Sequence, residues 1–235
     1  MFGLIKKDLL VSLKVKSFKT IIFTFIVGLF LLTTFSYIFP TLLPIMITYI
    51  VVMNSFYYDN LNKSESYILS LPNKREDVVY SKYILILILL ALSNVLMFVL
   101  FGINILNSVR VMVLQDVVIS SVTILLSFSI IIPIIFRYKY RIIRILAPFI
   151  TIIIGFWVMR SYSLNNFLNS GKESILIRLS RKIGVILYKL FQFDYRDYKV
   201  IASNIYIILL FIIAIVIFLF SSYISLKIYN KTDIE

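Results

Sequence analysis

Ser93, Asn94, Ser127 and Ser129 stand inside long apolar stretches, where a hydroxyl or amide could in principle take part in bond-making. A serine becomes a nucleophile only when a neighbouring base takes its proton or its pKa is lowered. This chain has no His and no Cys, and it lacks a Gly-x-Ser-x-Gly turn, a His-Glu-x-x-His pair and paired aspartates within an apolar stretch. The four residues therefore read as hydrogen-bond groups that hold helices together. The same two absences exclude disulfides, thiolate chemistry and the usual zinc sites. Nucleotide hydrolysis within the chain is excluded as well. Gly171-Lys172-Glu173 lacks both the upstream glycine and the hydroxyl of a phosphate-binding loop. No catalytic, cofactor-binding or metal-ligating residue is assigned.

The elements that carry these residues are set by composition. Of 235 residues, 61% are hydrophobic and 15% charged, against about 25% charged in soluble domains. Apolar runs recur along the whole sequence and leave no segment of roughly 100 residues for a separate soluble domain. One all-α, polytopic membrane domain over residues 1–235 is expected. Its spans are Thr20 to Phe39, Thr41 to Tyr58, Tyr83 to Leu106, Val117 to Phe136, Ile142 to Met159 and Ile201 to Leu226, each near the ~17–25 residues that cross the hydrocarbon. The first is too long for a signal-peptide core and no small-residue cleavage site follows it, so it is expected to be retained. Pro40 separates the first two spans in a tight hairpin. Arg144, near the start of the fifth span, must snorkel towards the headgroups.

Two segments outside the spans look amphipathic. In residues 1–19, Phe2, Ile5, Leu9, Leu10 and Leu13 recur at helical spacing, with Lys6, Lys7, Lys14 and Lys16 mostly elsewhere on the wheel. This describes an interfacial elbow helix on the inner leaflet. In residues 160–200, Arg178, Arg181, Lys182 and Lys189 fall broadly on one face, while Ile175, Leu176, Leu179, Ile183, Ile186, Leu187 and Leu190 cover much of the rest. Short helices at the outer leaflet, with a basic face that anchors to lipid, gates or touches substrate, are expected there.

Orientation follows from the short loops. With the N-terminus inside, the cytoplasmic segments hold Lys63, Lys74, Arg75 and Lys82, then Arg137, Lys139, Arg141 and Arg144, whereas the first two outer loops hold only Arg110. Both termini are expected in the cytoplasm, with the basic 160–200 segment as the exception. Concentration of Lys and Arg at inner loops and headgroups also accounts for the net charge of +13 without invoking nucleic acid. No span carries an ionisable residue at its centre, which weighs against transport driven by protons or sodium.

The most informative hydrophilic stretch is Asp59 to Lys82. An acidic-polar first part ends at Ser70-Leu71-Pro72. Asn73 can then cap a second helix whose first turn holds Glu76 and Asp77, where the helix dipole favours anions. An acid after the second span, a Leu-Pro with a basic pair, and Val-Val-x-Ser-Lys-Tyr entering the third span resemble the small bacterial permeases of type-2 ABC exporters. Those positions are Asp59, Leu71, Pro72, Lys74, Arg75, Val78, Val79, Ser81, Lys82 and Tyr83. That family often has a second acid where Asn60 stands.

The resemblance implies a bacterial plasma-membrane permease that works with a second permease subunit, identical or not, and with cytoplasmic ATPase subunits that bind the ATP and Mg. It makes residues 59–82 a coupling loop. Asp59, Glu65, Tyr67, Ile68, Leu71, Pro72, Lys74, Arg75 and Glu76 become the expected ATPase contacts. Spans without central charges suit an amphipathic peptide, antibiotic or lipid-like substrate, with the phenol-soluble modulin exporters as one similar case. The rival expectation is a non-transporting immunity or scaffold protein that binds a toxic peptide through its basic outer helix.

Overall fold

The computed structural model describes residues 2–12, 39–62, 74–102, 114–138, 140–162 and 198–231, with isolated helical positions at Ile175, Arg178, Leu179, Lys182, Ile183 and Val185. Among the described residues there are six continuous helices and no strand: α1 (Phe2–Ser12), α2 (Phe39–Leu61), α3 (Arg75–Gly102), α4 (Leu114–Tyr138), α5 (Tyr140–Tyr162) and α6 (Tyr198–Lys231). The last five are long and apolar enough to cross a membrane. Residues 20–38 of the expected first span lie outside the described residues, while Phe39, expected to end that span, and Pro40, expected in the hairpin after it, are instead the first two residues of α2.

Local sequence explains where these helices begin. Pro40 falls in the first turn of α2, where its missing N–H would have had no intrahelical partner. Glu76 and Asp77 occupy the first turn of α3, and the carbonyl of Lys74 accepts the Asp77 N–H at 3.0 Å. The short helix expected before the third span is thus continuous with it.

α4 is the centre of the bundle. α6 packs along one side of it and α5 along another, while α2 lies against both α3 and α4, and α1 closes on α2 and α3. Phe128, Leu125, Ile124, Ile131 and Ile132 of α4 are fully buried beside Leu85 and Ile86 of α3 and Val52 of α2. Phe56 meets Phe136 edge-on at 6.2 Å between ring centroids, a favoured aromatic geometry. Lipid is as apolar as these side chains, so close packing and interhelical hydrogen bonds, rather than exclusion from water, hold such helices together.

The hydrogen bonds are present. Ser93 pairs with Thr48 of α2 at 3.1 Å, and Asn94 joins α3 to α4 through Ser120 at 2.9 Å and Ser121 at 3.2 Å. Ser127 instead bonds back to the carbonyl of Thr123 in its own helix. Pro133 lies within α4 and cannot donate to the carbonyl four residues earlier. That carbonyl, of Ser129, accepts the Ser221 hydroxyl of α6 at 2.6 Å. Gly155 brings α5 close to α4: a methyl group there would lie 3.4 Å from Thr123 Cγ2.

Candidate functional site

α2 ends with the Asn62 N–H on the Tyr58 carbonyl at 3.0 Å, and α3 starts at Arg75. Four charged side chains, from α1, the end of α2 and the first turns of α3, meet beside these two helix ends. Lys82 is only 4% exposed, and its ammonium donates to Asp59 Oδ2 and to Ser55 Oγ at 2.7 Å while pairing with Asp8 Oδ2 at 2.9 Å. An ammonium has three donors, and these contacts match that number. Its charge also lies 4.8 Å from the centre of the Phe56 ring, a further cation–π contact. Lys7 reaches Asp59 Oδ1 at 2.8 Å and Asp8 Oδ1 at 3.3 Å. Each carboxylate is thus shared by both lysines in a closed ring of two cations and two anions.

Burial alone would lower the pKa of Lys7, but its hydrogen bond to Asp59 and the charges of Asp59 and Asp8 outweigh burial and hold it above its ordinary value. Lys7 is therefore cationic throughout the physiological range. Asp8 is 2% exposed on a helix that buries little else, namely Leu4, Ile5 and Ser12. Ile5 faces the protein while Phe2 and Leu10 are exposed, so the apolar residues expected on one membrane-facing stripe of α1 divide between two faces.

Back to back with Lys82, Tyr83 points the other way. Its hydroxyl lies 2.8 Å from both Ser221 and Ser225 of α6, and its ring meets Phe218 edge-on at 4.9 Å. Arg75 reaches the same helix, with Nη1 donating to the Asn230 carbonyl at 3.4 Å, close to the C-terminus of α6, where a cation is favoured by the dipole. The base of α3 is thereby fixed to α1 and α2 on one side and to α6 on the other.

Of the expected coupling residues, Asp59 and Arg75 are engaged in these contacts, and Lys74 and Glu76 are exposed. Glu65, Tyr67, Ile68, Leu71 and Pro72 lie outside the described residues. On the other expected face, Arg178 and Lys182 are helical and exposed, as are Ile175 and Leu179, whereas Arg181 and Lys189 lie outside the described residues. Sequence reasoning overlooked Asp8. The available signal was an acid one turn from Leu4 and Ile5, on the inward side of an otherwise lysine-rich helix.

No group of three or more His, Cys, Asp or Glu able to hold a metal occurs among the described residues. The Ser93 hydroxyl, the Asn94 amide and the hydroxyls of Ser120 and Ser121 are used between helices, whereas those of Ser127 and Ser129, expected there too, bond back to carbonyls of their own helix. What this arrangement can do is mechanical: it ties the end of α2 and the start of α3 to each other and to α1 and α6.

Comparison with known proteins gives one family. A family model described as ABC-2 family transporter protein matches residues 3–230, nearly the whole chain. Neither the search of curated proteins nor that of solved structures returned a match.

Proposed function

The chain belongs to the ABC-2 transporter family, and from that premise we propose that it is the transmembrane subunit of an ATP-driven exporter whose ATPase subunits are separate polypeptides. It is a multi-pass membrane protein of a transport family; export, coupling and substrate are the proposed part. The observation that carries the reading is the ion pair of Asp59 with Lys82. A segment meant to pass force from a docked ATPase to the spans must be held at both ends, and here α2 and α3 are tied together where it leaves and re-enters the bundle.

In this reading the chain crosses the bacterial plasma membrane six times with both termini inside, α1 serves as the elbow, and a second permease subunit completes the transporter. Tyr67, Ile68 and Leu71 form the centre of the ATPase contact, with Glu65, Lys74, Arg75 and Glu76 around it. Arg178, Arg181, Lys182 and Lys189 give the outer segment its basic face. Spans whose centres carry no ionisable residue favour an amphipathic or lipid-like substrate.

Affinity purification of the tagged chain from membranes in mild detergent tests the assignment. A phosphate-loop ATPase is expected to copurify, and its reproducible absence supports the immunity or scaffold alternative. Topology is tested with single cysteines, since the chain has none of its own. A membrane-impermeant thiol reagent on intact cells should label position 170 and miss position 64.

A further inference from the structure

The ring of Lys7, Asp8, Lys82 and Asp59 contains a residue that the coupling reading does not need. An Asp59–Lys82 pair alone would join α2 to α3, yet Asp8 enters from α1, is almost completely buried, and pairs with both lysines. We propose that Asp8 is a positioning residue for coupling: it locks α1 to the ends of α2 and α3, so that the three helix ends move as one unit. The proposal rests on the reading of residues 59–82 as the coupling element.

Two cations and two anions cancel, and each member touches two of opposite sign, or in Lys82's case two carboxylates and a hydroxyl. Removing one member leaves a buried charge without its counterpart, which is far more costly than exchanging the whole set for apolar groups. A half-open ring is therefore strongly disfavoured, and the helices that carry it are held together or released together. Among the described residues of α1, Leu4 and Ile5 are the buried apolar side chains and Leu9 packs partly buried against the core, while the Ser12 hydroxyl is spent on the carbonyl of Leu9 in the same helix.

Hydrogen exchange on the full-length chain in lipid nanodiscs tests the unit directly. In Asp8→Asn, amides of α1, of residues 58–62 and of residues 75–82 should all exchange about tenfold faster or more, the local opening that follows loss of a buried ionic partner. Asp8→Glu should restore most of the protection. Lys7→Met, at the more exposed edge of the ring, should loosen the same three segments to a lesser degree and serves if Asp8→Asn inserts poorly. Faster exchange confined to α1 would overturn the proposal and reduce Asp8 to a local docking contact. In a second arm, Asp8→Asn should retain the copurifying ATPase but lose most of its stimulation by the permease, with recovery in Asp8→Glu. Unchanged stimulation would show that the ring does not position the coupling element. If no ATPase copurifies with the unsubstituted chain, the exporter reading fails, while the exchange experiment still decides whether the three helix ends form one unit.

Discussion

α4 and α5 are consecutive helices of similar length and comparable hydropathy, yet most of α4's apolar stretch is buried inside the protein and little of α5's. The difference lies in small polar residues. α4 carries Ser120, Ser121, Thr123, Ser127 and Ser129, all buried, and the first two hold Asn94 of α3. α5 presents Ile145, Phe149, Ile152, Ile153, Phe156 and Trp157 outward and turns Gly155 towards Thr123 of α4. Apolarity decides that a helix enters the membrane; small and hydrogen-bonding side chains decide which helix others pack around. The charged ring extends the same rule to the ends of the helices.

Substitutions can break or sharpen this contrast. The largest effect is expected for Lys82→Met, which leaves Asp8 and Asp59 sharing only Lys7. A loss of about 3–5 kcal/mol is expected, visible as poor recovery of folded protein and a lower denaturation temperature in detergent. Asn94→Leu removes the amide that joins α3 to Ser120 and Ser121, and should cost ~1–2 kcal/mol in the same measurement. Ser221→Ala strips the Ser129 carbonyl of its donor beside Pro133, and a loss of about 1 kcal/mol is expected. On α5, Ile153→Ala should fall within about 0.5 kcal/mol of the unsubstituted chain, as for other exposed positions. A loss at Ile153 equal to that at Asn94 would mean that the outward face of α5 is occupied by protein, and the contrast with α4 would collapse.

Much of this architecture is legible in the sequence because the signals are local. The expected spans Val117 to Phe136 and Ile142 to Met159 fall inside α4 and α5, and the helix start marked by Glu76 and Asp77 lies where the dipole argument puts it. The hydroxyls and amide read as helix glue make the expected contacts at Ser93 and Asn94. The charged ring was not legible. Asp8, Asp59 and Lys82 lie far apart in the chain, and hydropathy counts Asp59 and Lys82 as ordinary charges at span ends and Asp8 as one more charge in the interfacial helix. In the sequence Lys82 and Asp59 read as motif positions, the first a cytoplasmic cation and the second an expected ATPase contact; nothing in their spacing says that they share a hydrogen bond. Nor does Pro133 announce that the Ser129 carbonyl, which it leaves without an N–H partner, accepts the hydroxyl of Ser221 from a helix ninety-odd residues later. Such partnerships are decided by tertiary packing, which a one-dimensional pattern does not encode.

The most direct test of the central claim measures ATP hydrolysis by the copurified complex in lipid nanodiscs, comparing the unsubstituted chain with Tyr67→Glu/Ile68→Glu. Both positions lie outside the spans, so insertion should be normal, while two carboxylates at the centre of the expected contact should remove the anchors on which binding depends. The account predicts that the double variant inserts at the ordinary level and loses the ATPase, or retains it without stimulation, whereas Lys63→Ala leaves both nearly intact. Normal insertion with full ATPase binding and stimulation in the double variant would contradict it.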